Sequence, residues 1–165
     1  MKPNRMPSLK RFKSCAKSAS ERPVPTPELF YLDASALVKL VLREPETNAL
    51  IAALASDAKL VASEIAEVET LRALRRRGGG SAAADIVRSK LEKVRLLPLS
   101  PQTRRQAGEL QPAELRSLDA IHLATALQLG DLLAGFYTYD SRLGEAATHA
   151  GLRVLAPSGD NPDPE

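Results

Sequence analysis

The sequence predicts an α/β domain with a mostly parallel sheet that helices cover on both faces. Short apolar runs alternate with longer amphipathic stretches along the middle of the chain, as in folds whose parallel strands are joined by helices. The 165 residues are 44% hydrophobic and 26% charged. This length suffices for one domain with a sizeable core and is too short for two comfortable domains.

Five short apolar runs are predicted to form the strands of this sheet. Each is continuously apolar or nearly so, which indicates burial on both faces rather than on one. The predicted strands are Leu29–Leu32, Lys59–Ala62, Arg95–Leu99, Gly135–Tyr139 and Leu152–Leu155.

The stretches between these runs are predicted to form helices. Pro45 separates the first two, because proline suits a first helical turn, and the glycines at 78–80 end the third. Ser63 and Ser117 are expected to cap the helices that follow them. The predicted helices are Ser35–Leu42, Glu46–Ser56, 64 to about Arg77, Ser81–Lys93, Pro101 to about Leu110, Leu118–Leu129 and Ser141–Ala150.

The basic character of the chain lies in its N-terminal segment. The formal net charge is +3 and the pI is about 9.2, yet the stretch between the two ends carries 16 basic and 16 acidic residues. Both ends are proline-rich, and the opening segment lacks apolar periodicity. We expect residues 1–26 to form a basic disordered tail, 27–156 the folded domain and 157–165 an acidic flexible tail. The basic tail is either passive or an RNA-binding arm.

The composition excludes several classes of protein. A single cysteine, Cys15, excludes an intramolecular disulfide and a multi-cysteine zinc site, and it fits a reducing compartment. No run approaches the ~18 apolar residues that a membrane-spanning helix needs. The N-terminus lacks the apolar segment of a secretory signal. We therefore expect a cytoplasmic protein.

Two acids stand at the predicted ends of strands. Asp33 follows the first strand and Asp140 follows the strand Gly135–Tyr139. In an open parallel sheet, ligands gather at the carboxyl ends of the strands. A helix follows each acid directly, so a helix N-cap is the alternative role for either one.

Two further acids lie on the buried sides of predicted helices. Asp119 is in the first turn of an apolar helix, where the helix dipole favours a carboxylate. Glu69 lies at the edge of an apolar stripe. An ion pair with Arg72 or Arg116 is the alternative role for such a half-buried acid. The stripe beside Glu69 consists of Ile65, Val68, Leu71 and Leu74.

Convergence of four carboxylates on one sheet edge predicts a site for a hard divalent cation. Two carboxylates ~4 Å apart repel by roughly 4 kcal/mol at an effective dielectric constant near 20, so several together need neutralising. Mg²⁺ and Mn²⁺ both accept oxygen ligands. Such an ion activates water and stabilises charge on a phosphoryl oxygen, which is the chemistry of phosphodiester hydrolysis.

Four segments, in this order and spacing, resemble a PIN domain and, more narrowly, the VapC toxins of bacterial toxin–antitoxin modules. The segments are LDASALVKL, AEVETLRALRR, LDAIHLATALQLG and FYTYDSRLGEAA. The resemblance covers about Phe30 to Ala156. It implies a three-layer α/β/α sandwich and an endoribonuclease that depends on Mg²⁺ or Mn²⁺. It also implies an RNA substrate such as tRNA, a cognate antitoxin and a homodimer.

The resemblance assigns a role to each of the four acids. Asp33 and Asp119 match the family's metal-ligating positions. Glu69 matches the helical glutamate, which orients water or a second ion. Asp140 matches the fourth acid, which binds the metal through water. All four are therefore expected to be catalytic metal-site residues.

Three polar residues near these acids, Ser35, Thr138 and Arg142, are secondary candidates. Ser35 matches the polar residue two positions after the first aspartate and either contacts an outer-sphere water or joins the helix cap. Thr138 and Arg142 flank Asp140 and are expected to shape the site. His122 falls within the apolar pattern of its helix, so packing or a contact at the rim is favoured over a general-base role.

A non-catalytic PIN-like module that binds RNA or a protein is the main alternative, and the presence of all four acids argues against it. A receiver-like phosphoacceptor domain needs a second acid near Asp33 and a lysine at the end of a late strand, whereas the basic residue of the last predicted strand, Arg153, lies near its start. A phosphatase of the Asp-x-Asp type is excluded because Ser35 occupies the second position.

Overall fold

The computed structural model describes residues 29–54, 58–80 and 83–159, in which a parallel sheet is enclosed by helices. The strands are β1 (Leu29–Leu32), β2 (Lys59–Ser63), β3 (Val94–Leu97), β4 (Leu133–Tyr137) and β5 (Val154–Leu155). The helices are α1 (Ala34–Val41), α2 (Thr47–Ala53), α3 (Ile65–Arg76), α4 (Ala83–Leu91), α5 (Pro101–Glu109), α6 (Ser117–Leu127) and α7 (Ser141–His149). A 3₁₀ turn at Gly130–Leu132 precedes β4.

Some sequence predictions fall on residues that the structure does not describe. The basic tail predicted for residues 1–26 and Cys15 lie outside the described ranges, as does the acidic end of the chain from residue 160 onward. None of the helices within the described ranges is long and apolar enough to cross a membrane.

The strand order β3-β2-β1-β4-β5 places β1 at the centre of the sheet, with all neighbours parallel. The chain builds outward from β1 to β2 and β3 and then returns to add β4 on the other side of β1. Tyr31 of β1 therefore lies between Val61 and Phe136. The order reverses between β1 and β4, and ligands of open α/β sheets bind outside the carboxyl ends of the strands at such a switch point.

Alternate residues of the central strands face opposite helical layers, because side chains alternate along a strand. Leu32 and Tyr137 pack with α1 to α4, and Tyr31 and Phe136 pack with α6 and α7. The Tyr31 and Phe136 rings stack with centroids 5.1 Å apart. These two apolar layers make the domain an α/β/α sandwich, which confirms the predicted fold class.

The predicted strands and helices are all present, although the predicted helix ends at Ser56 and Ser81 lie outside the described residues. Two predicted caps are wrong. Ser63 is the last residue of β2, and the N-cap of α3 is Glu64, without a side-chain hydrogen bond. Ser117 is the first residue of α6, whose N-cap is Arg116. In each place the serine lies one residue from the observed N-cap, before it in α3 and after it in α6.

The predicted buried stripe of α3 is also wrong in part. Val68 is 59% exposed, and the buried residues of this helix are Ala66, Thr70 and Leu74. These residues are spaced by four and form one ridge. The small side chains of Ala66 and Thr70 allow close packing, so this ridge faces the interior although Val68 is more apolar. With this ridge facing the interior, Glu69 is half-buried at the edge of the buried face of α3.

Candidate active site

Asp33 lies at the carboxyl end of β1 and is 3% exposed. Its Oδ1 accepts a hydrogen bond of 2.9 Å from the amide of Ala36, which caps α1. The Ser35 hydroxyl lies 2.7 and 2.9 Å from its two oxygens, and Thr138 Oγ1 donates to Oδ2 at 2.7 Å. Burial raises the pKa of Asp33, and the hydrogen bonds from Ser35, Thr138 and Ala36 oppose that rise.

The hydroxyls of Ser35 and Thr138 join the loop after β4 to the start of α1. Ser35 Oγ accepts from the Tyr139 amide at 2.7 Å, and Thr138 Oγ1 accepts from the Asp140 amide at 3.1 Å. Each hydroxyl therefore accepts a backbone hydrogen bond while it donates to Asp33. This arrangement holds the Asp33 carboxylate at the switch point between β1 and β4.

Asp140 is the N-cap of α7 and is half-buried. Its Oδ1 accepts a hydrogen bond of 3.0 Å from the amide of Leu143. The N-cap role that the sequence allowed for Asp33 and Asp140 is thus present at both. Each cap bond uses one carboxylate oxygen, Oδ1, so capping leaves the second oxygen available for other contacts.

Asp119 lies in the first turn of α6 and is half-buried. Its Oδ2 is buried and has no hydrogen-bond partner among the described residues. Burial raises the pKa of Asp119, and the charges of Asp140 and Glu69 raise it further, whereas Arg116 and His122 lower it. Asp140 and Glu69 therefore both lie within electrostatic range of Asp119.

Glu69 projects from α3 toward α6. Its Oε2 lies 2.7 Å from Nε2 of His122, and Nδ1 of the same ring lies 2.8 Å from the Tyr31 hydroxyl. Neither Arg72 nor Arg116 forms an ion pair with Glu69 or Asp119 in the described part of the chain. His122 thus takes the place of the arginine partner that the sequence allowed.

Sequence reasoning missed Tyr31 and the contact made by His122. Both residues are buried, at 0% and 1% exposure, and both lie within apolar runs that the sequence pattern assigns to the core. The only signal in the sequence was the presence of a polar ring in each run. The chain shows no periodicity that pairs the two residues.

The four acids are brought to the same edge of the sheet without forming a compact cluster. Across residues 29–54, 58–80 and 83–159, no three His, Cys, Asp or Glu side chains lie close enough to hold a metal ion as they stand. Asp33 and Asp140 are linked through Thr138, and Glu69 is joined to His122. Asp119 is affected by the charges of Asp140 and Glu69.

Basic side chains line two shallow depressions beside these acids. One, of about 390 Å³, contains Asp119 together with Arg116 and Arg142. The other, of about 340 Å³, contains Glu69 and Ser35, and it is bordered by Lys39, Arg76 and Arg77. Arg142, which the sequence predicted beside the site, lies in the first depression. Acidic side chains line the two depressions as well, Glu114 and Glu145 in the first and Glu44, which pairs with Lys39 and Arg77, in the second.

Comparison with known proteins gives consistent matches. The model of the PIN domain family matches residues 30–148. Ribonuclease VapC46 of Mycobacterium tuberculosis is 45% identical over 128 residues, which are 78% of this chain and 97% of the relative. Ribonuclease VapC35 of the same organism is 40% identical over 133 residues, with the same two coverages.

Solved structures share the fold. The crystal structure of Mycobacterium tuberculosis VapC20, a toxin that cleaves the sarcin-ricin loop, aligns with a TM-score of 0.62 and 21% identity over 78% of this chain and 99% of that one. The crystal structure of VapBC2 from Rickettsia felis, bound to a DNA fragment from its promoter, aligns with a TM-score of 0.57 and 14% identity. That alignment covers 79% of this chain and 99% of the other.

Proposed function

The chain belongs to the PIN-domain family, and from this membership we propose that its four acids hydrolyse RNA with the help of a divalent cation. The protein is a ribonuclease of the VapC type, an endoribonuclease toxin. The proposal concerns the residues that carry the activity, the cation and the partners.

The acids offer a donor set that suits Mg²⁺ or Mn²⁺. All four side chains present only oxygen, which these cations prefer. The buried Oδ2 of Asp119 has no hydrogen-bond partner among the described residues. The nearby charges of Asp140 and Glu69 raise the pKa of Asp119, and a cation would relieve that repulsion. This orphaned oxygen is the observation that carries the metal assignment.

We assign a distinct role to each acid. Asp33 and Asp119 would hold the cation, and Asp140 and Glu69 would complete its surroundings. When bound, the cation supplies activation of water and stabilisation of charge on a phosphoryl oxygen. Ser35 and Thr138 hold the Asp33 carboxylate in one orientation. Each hydroxyl donates a hydrogen bond to that carboxylate, and its oxygen accepts a hydrogen bond from a backbone amide.

Substrate binding depends on charge and shape rather than on aromatic stacking. The chain has three Phe, three Tyr and no Trp, and Tyr31, Phe136 and Tyr137 are buried. Arg116 and Arg142 share the depression that contains Asp119, where they are placed to contact phosphates on the RNA. A folded RNA such as tRNA is the substrate class that we propose.

The proposal also covers the partner, the oligomeric state and the location of the enzyme. We propose a cognate antitoxin, a homodimer and a cytoplasmic location. The family to which the chain belongs and its structural similarity to VapBC2 support the antitoxin. A partner that covers the two depressions beside the acids would prevent RNA from reaching them.

The test is RNA cleavage by the purified protein with Mg²⁺ or Mn²⁺, with EDTA as the metal-free control. Asp33→Asn and Asp119→Asn are each expected to abolish cleavage while the protein stays folded. Intact cleavage in both variants would overturn the site assignment. Tight RNA binding without cleavage of any RNA under either metal would favour a non-catalytic binding module.

A further inference from the structure

A buried tyrosine–histidine pair lies behind one carboxylate of the proposed site. Tyr31 and His122 are 0% and 1% exposed, and their rings meet edge to face with centroids 5.9 Å apart. The Tyr31 ring is stacked on Phe136, and its hydroxyl accepts a 3.0 Å hydrogen bond from the Ser63 amide. The tyrosine is therefore fixed by both packing and a backbone hydrogen bond.

The hydrogen bonds around Tyr31 determine which nitrogen of His122 carries the proton. The Ser63 amide can only donate, so the Tyr31 oxygen accepts there. Nδ1 of His122 lies 2.8 Å from this hydroxyl, and the Thr125 hydroxyl, which donates to the Ile121 carbonyl, is also near it. A buried hydroxyl proton without an acceptor is costly, and the short contact is the one to Nδ1, so the hydroxyl donates there. The ring proton then resides on Nε2.

The opposite side of the imidazole leads to the same tautomer. Nε2 of His122 lies 2.7 Å from Oε2 of Glu69, and an ionised carboxylate only accepts hydrogen bonds. An Nε2–H that points at Glu69 satisfies both groups. The chain of donors thus runs in one direction, from the Ser63 amide through Tyr31 and His122 to Glu69.

We propose that His122 is a positioning residue: Tyr31 holds its ring in the Nε2–H tautomer, and that N–H fixes the carboxylate of Glu69 toward the acidic site. Glu69 is a long, half-buried side chain with several accessible rotamers. The hydrogen bond engages Oε2 and leaves Oε1 for the cation or for water. Outer partners of this kind orient ligands, and losing them typically weakens metal binding or activity about 10–100-fold. This inference rests on the proposed function, since it concerns the same site.

The tautomer is measured directly by two-bond ¹H–¹⁵N correlation of the histidine rings in the metal-free protein at neutral pH. The chain has two histidines, His122 and His149, and His149 is exposed on α7. His149→Gln therefore assigns both spectra. We expect His122 to show a protonated Nε2 and a bare Nδ1. A ring protonated at Nδ1, as a tautomer or as an imidazolium, would overturn the proposal.

The positioning role is measured by calorimetric titration of the EDTA-treated protein with Mn²⁺ alone, alongside RNA cleavage. His122→Leu fills the space but removes the donor, so Mn²⁺ affinity and kcat are expected to fall about 10-fold or more. His122→Gln keeps an N–H donor and is expected to recover most of that loss. The control is Thr103→Val, which removes a buried hydroxyl bonded to Gln128, at the opposite end of α6 from Asp119; it is expected to bind Mn²⁺ and cleave RNA as wild type.

The outcomes separate this proposal from the proposed function. If wild type cleaves RNA and Asp33→Asn does not, but a folded His122→Leu binds Mn²⁺ and cleaves as wild type, the positioning role is wrong and the function stands. The positioning role is also wrong if His122→Leu and His122→Gln lose Mn²⁺ affinity and cleavage equally, and in proportion to the fall in their melting temperatures. If wild type cleaves nothing, the function fails, and the ring spectra still decide the direction of the hydrogen bonds. If His122→Leu does not fold, the ring spectra of wild type decide the proposal.

Discussion

Thr138 Oγ1 donates a 2.7 Å hydrogen bond to Oδ2 of Asp33, although 105 positions separate the two residues in the chain. The bond crosses the switch point between β1 and β4, and Thr138 is 2% exposed. Thr138 therefore provides a direct connection between the loop that bears Asp140 and the acid at the end of β1. Removing the Thr138 hydroxyl therefore tests directly how the Asp33 carboxylate is positioned.

Thr138→Val is expected to lower RNA cleavage about 10-fold or more and to destabilise the protein by about 1–3 kcal/mol. Valine keeps the shape but removes a hydrogen bond to a buried carboxylate, which is worth more than a neutral one. Cleavage rates and urea unfolding measure the two effects. Thr148→Val removes the exposed hydroxyl that bonds to Gly144 within α7 and should change neither. Equal behaviour of the two variants would contradict the role of Thr138.

Asp119→Asn is expected to raise the melting temperature of the EDTA-treated protein while it abolishes cleavage. Burial and the charges of Asp140 and Glu69 raise the pKa of Asp119, so its ionised form destabilises the folded state at neutral pH. A rise of a few degrees is expected in a domain of this size. Differential scanning calorimetry with EDTA measures it. Asp131→Asn, at an exposed position in the 3₁₀ turn, should leave the melting temperature unchanged; a fall in melting temperature for Asp119→Asn would contradict the prediction.

Lys39→Met is expected to destabilise the protein at pH 7 by about 1–2 kcal/mol, through loss of charged hydrogen bonds. Lys39 Nζ lies 2.8 Å from Glu44 and 2.7 Å from Glu46, and it sits 4.5 Å from the centroid of the Tyr139 ring. Its side chain is 11% exposed. The matched control is Arg88→Met, because Arg88 pairs with Asp85 at an exposed site; its effect should be below about 0.5 kcal/mol.

The same ion pairs give the stability a defined dependence on pH. The hydrogen bond from Lys39 is the largest cause that lowers the pKa of Glu44 and of Glu46. The folded protein therefore binds these protons less tightly than the unfolded chain does. Their contribution is fully present above the ordinary glutamate pKa of about 4.5 and is lost as the pH falls through the lowered values. Urea unfolding from pH 7 to pH 3 should show a shallower loss in Lys39→Met than in wild type, and parallel curves would contradict this.

Arg142→Gln is expected to raise KM for RNA several-fold with little change in kcat. Arg142 lines the depression that contains Asp119, and a phosphate contact positions RNA without taking part in bond cleavage. The slope of log affinity against log salt should become shallower by about 0.7, the value for one contact to a single strand. Binding measured at several salt concentrations with the Mg²⁺-free protein gives this slope. Arg105→Gln, on the exposed face of α5, should retain the wild-type slope. The same change of slope in both variants would contradict a specific contact by Arg142 and indicate a general effect of lost positive charge.

Several parts of the site were predictable because they depend on local sequence. Asp33 follows an apolar run and precedes a helix, and parallel strands end at one edge of the sheet, so its place beside Asp140 follows from the order of the elements. Asp119 was identified because its neighbours at helical spacing are apolar, which places this carboxylate on the buried side of its helix. Their assignment as catalytic ligands remains a prediction that mutagenesis must test.

Other parts were not predictable, because they depend on which faces meet. The apolar stripe of α3 suggested that Val68 is buried, yet close packing through Ala66 and Thr70 turns Val68 to solvent. An ion pair with arginine was the expected alternative for Glu69, yet its partner is His122, 53 positions away. Periodicity shows which side chains are able to be buried, but not which neighbour each one meets.

The sequence by itself determined the order of strands and helices and placed four acids at strand ends and on helices, because propensity, proline, glycine and apolar runs act over a few residues. The tertiary structure alone decided how those acids are held. Thr138 reaches Asp33, Tyr31 and His122 reach Glu69, and Oδ2 of Asp119 is buried without a partner. Each of these facts arises when distant segments pack together and exclude water, so that burial and charge at one residue depend on side chains far away in the chain.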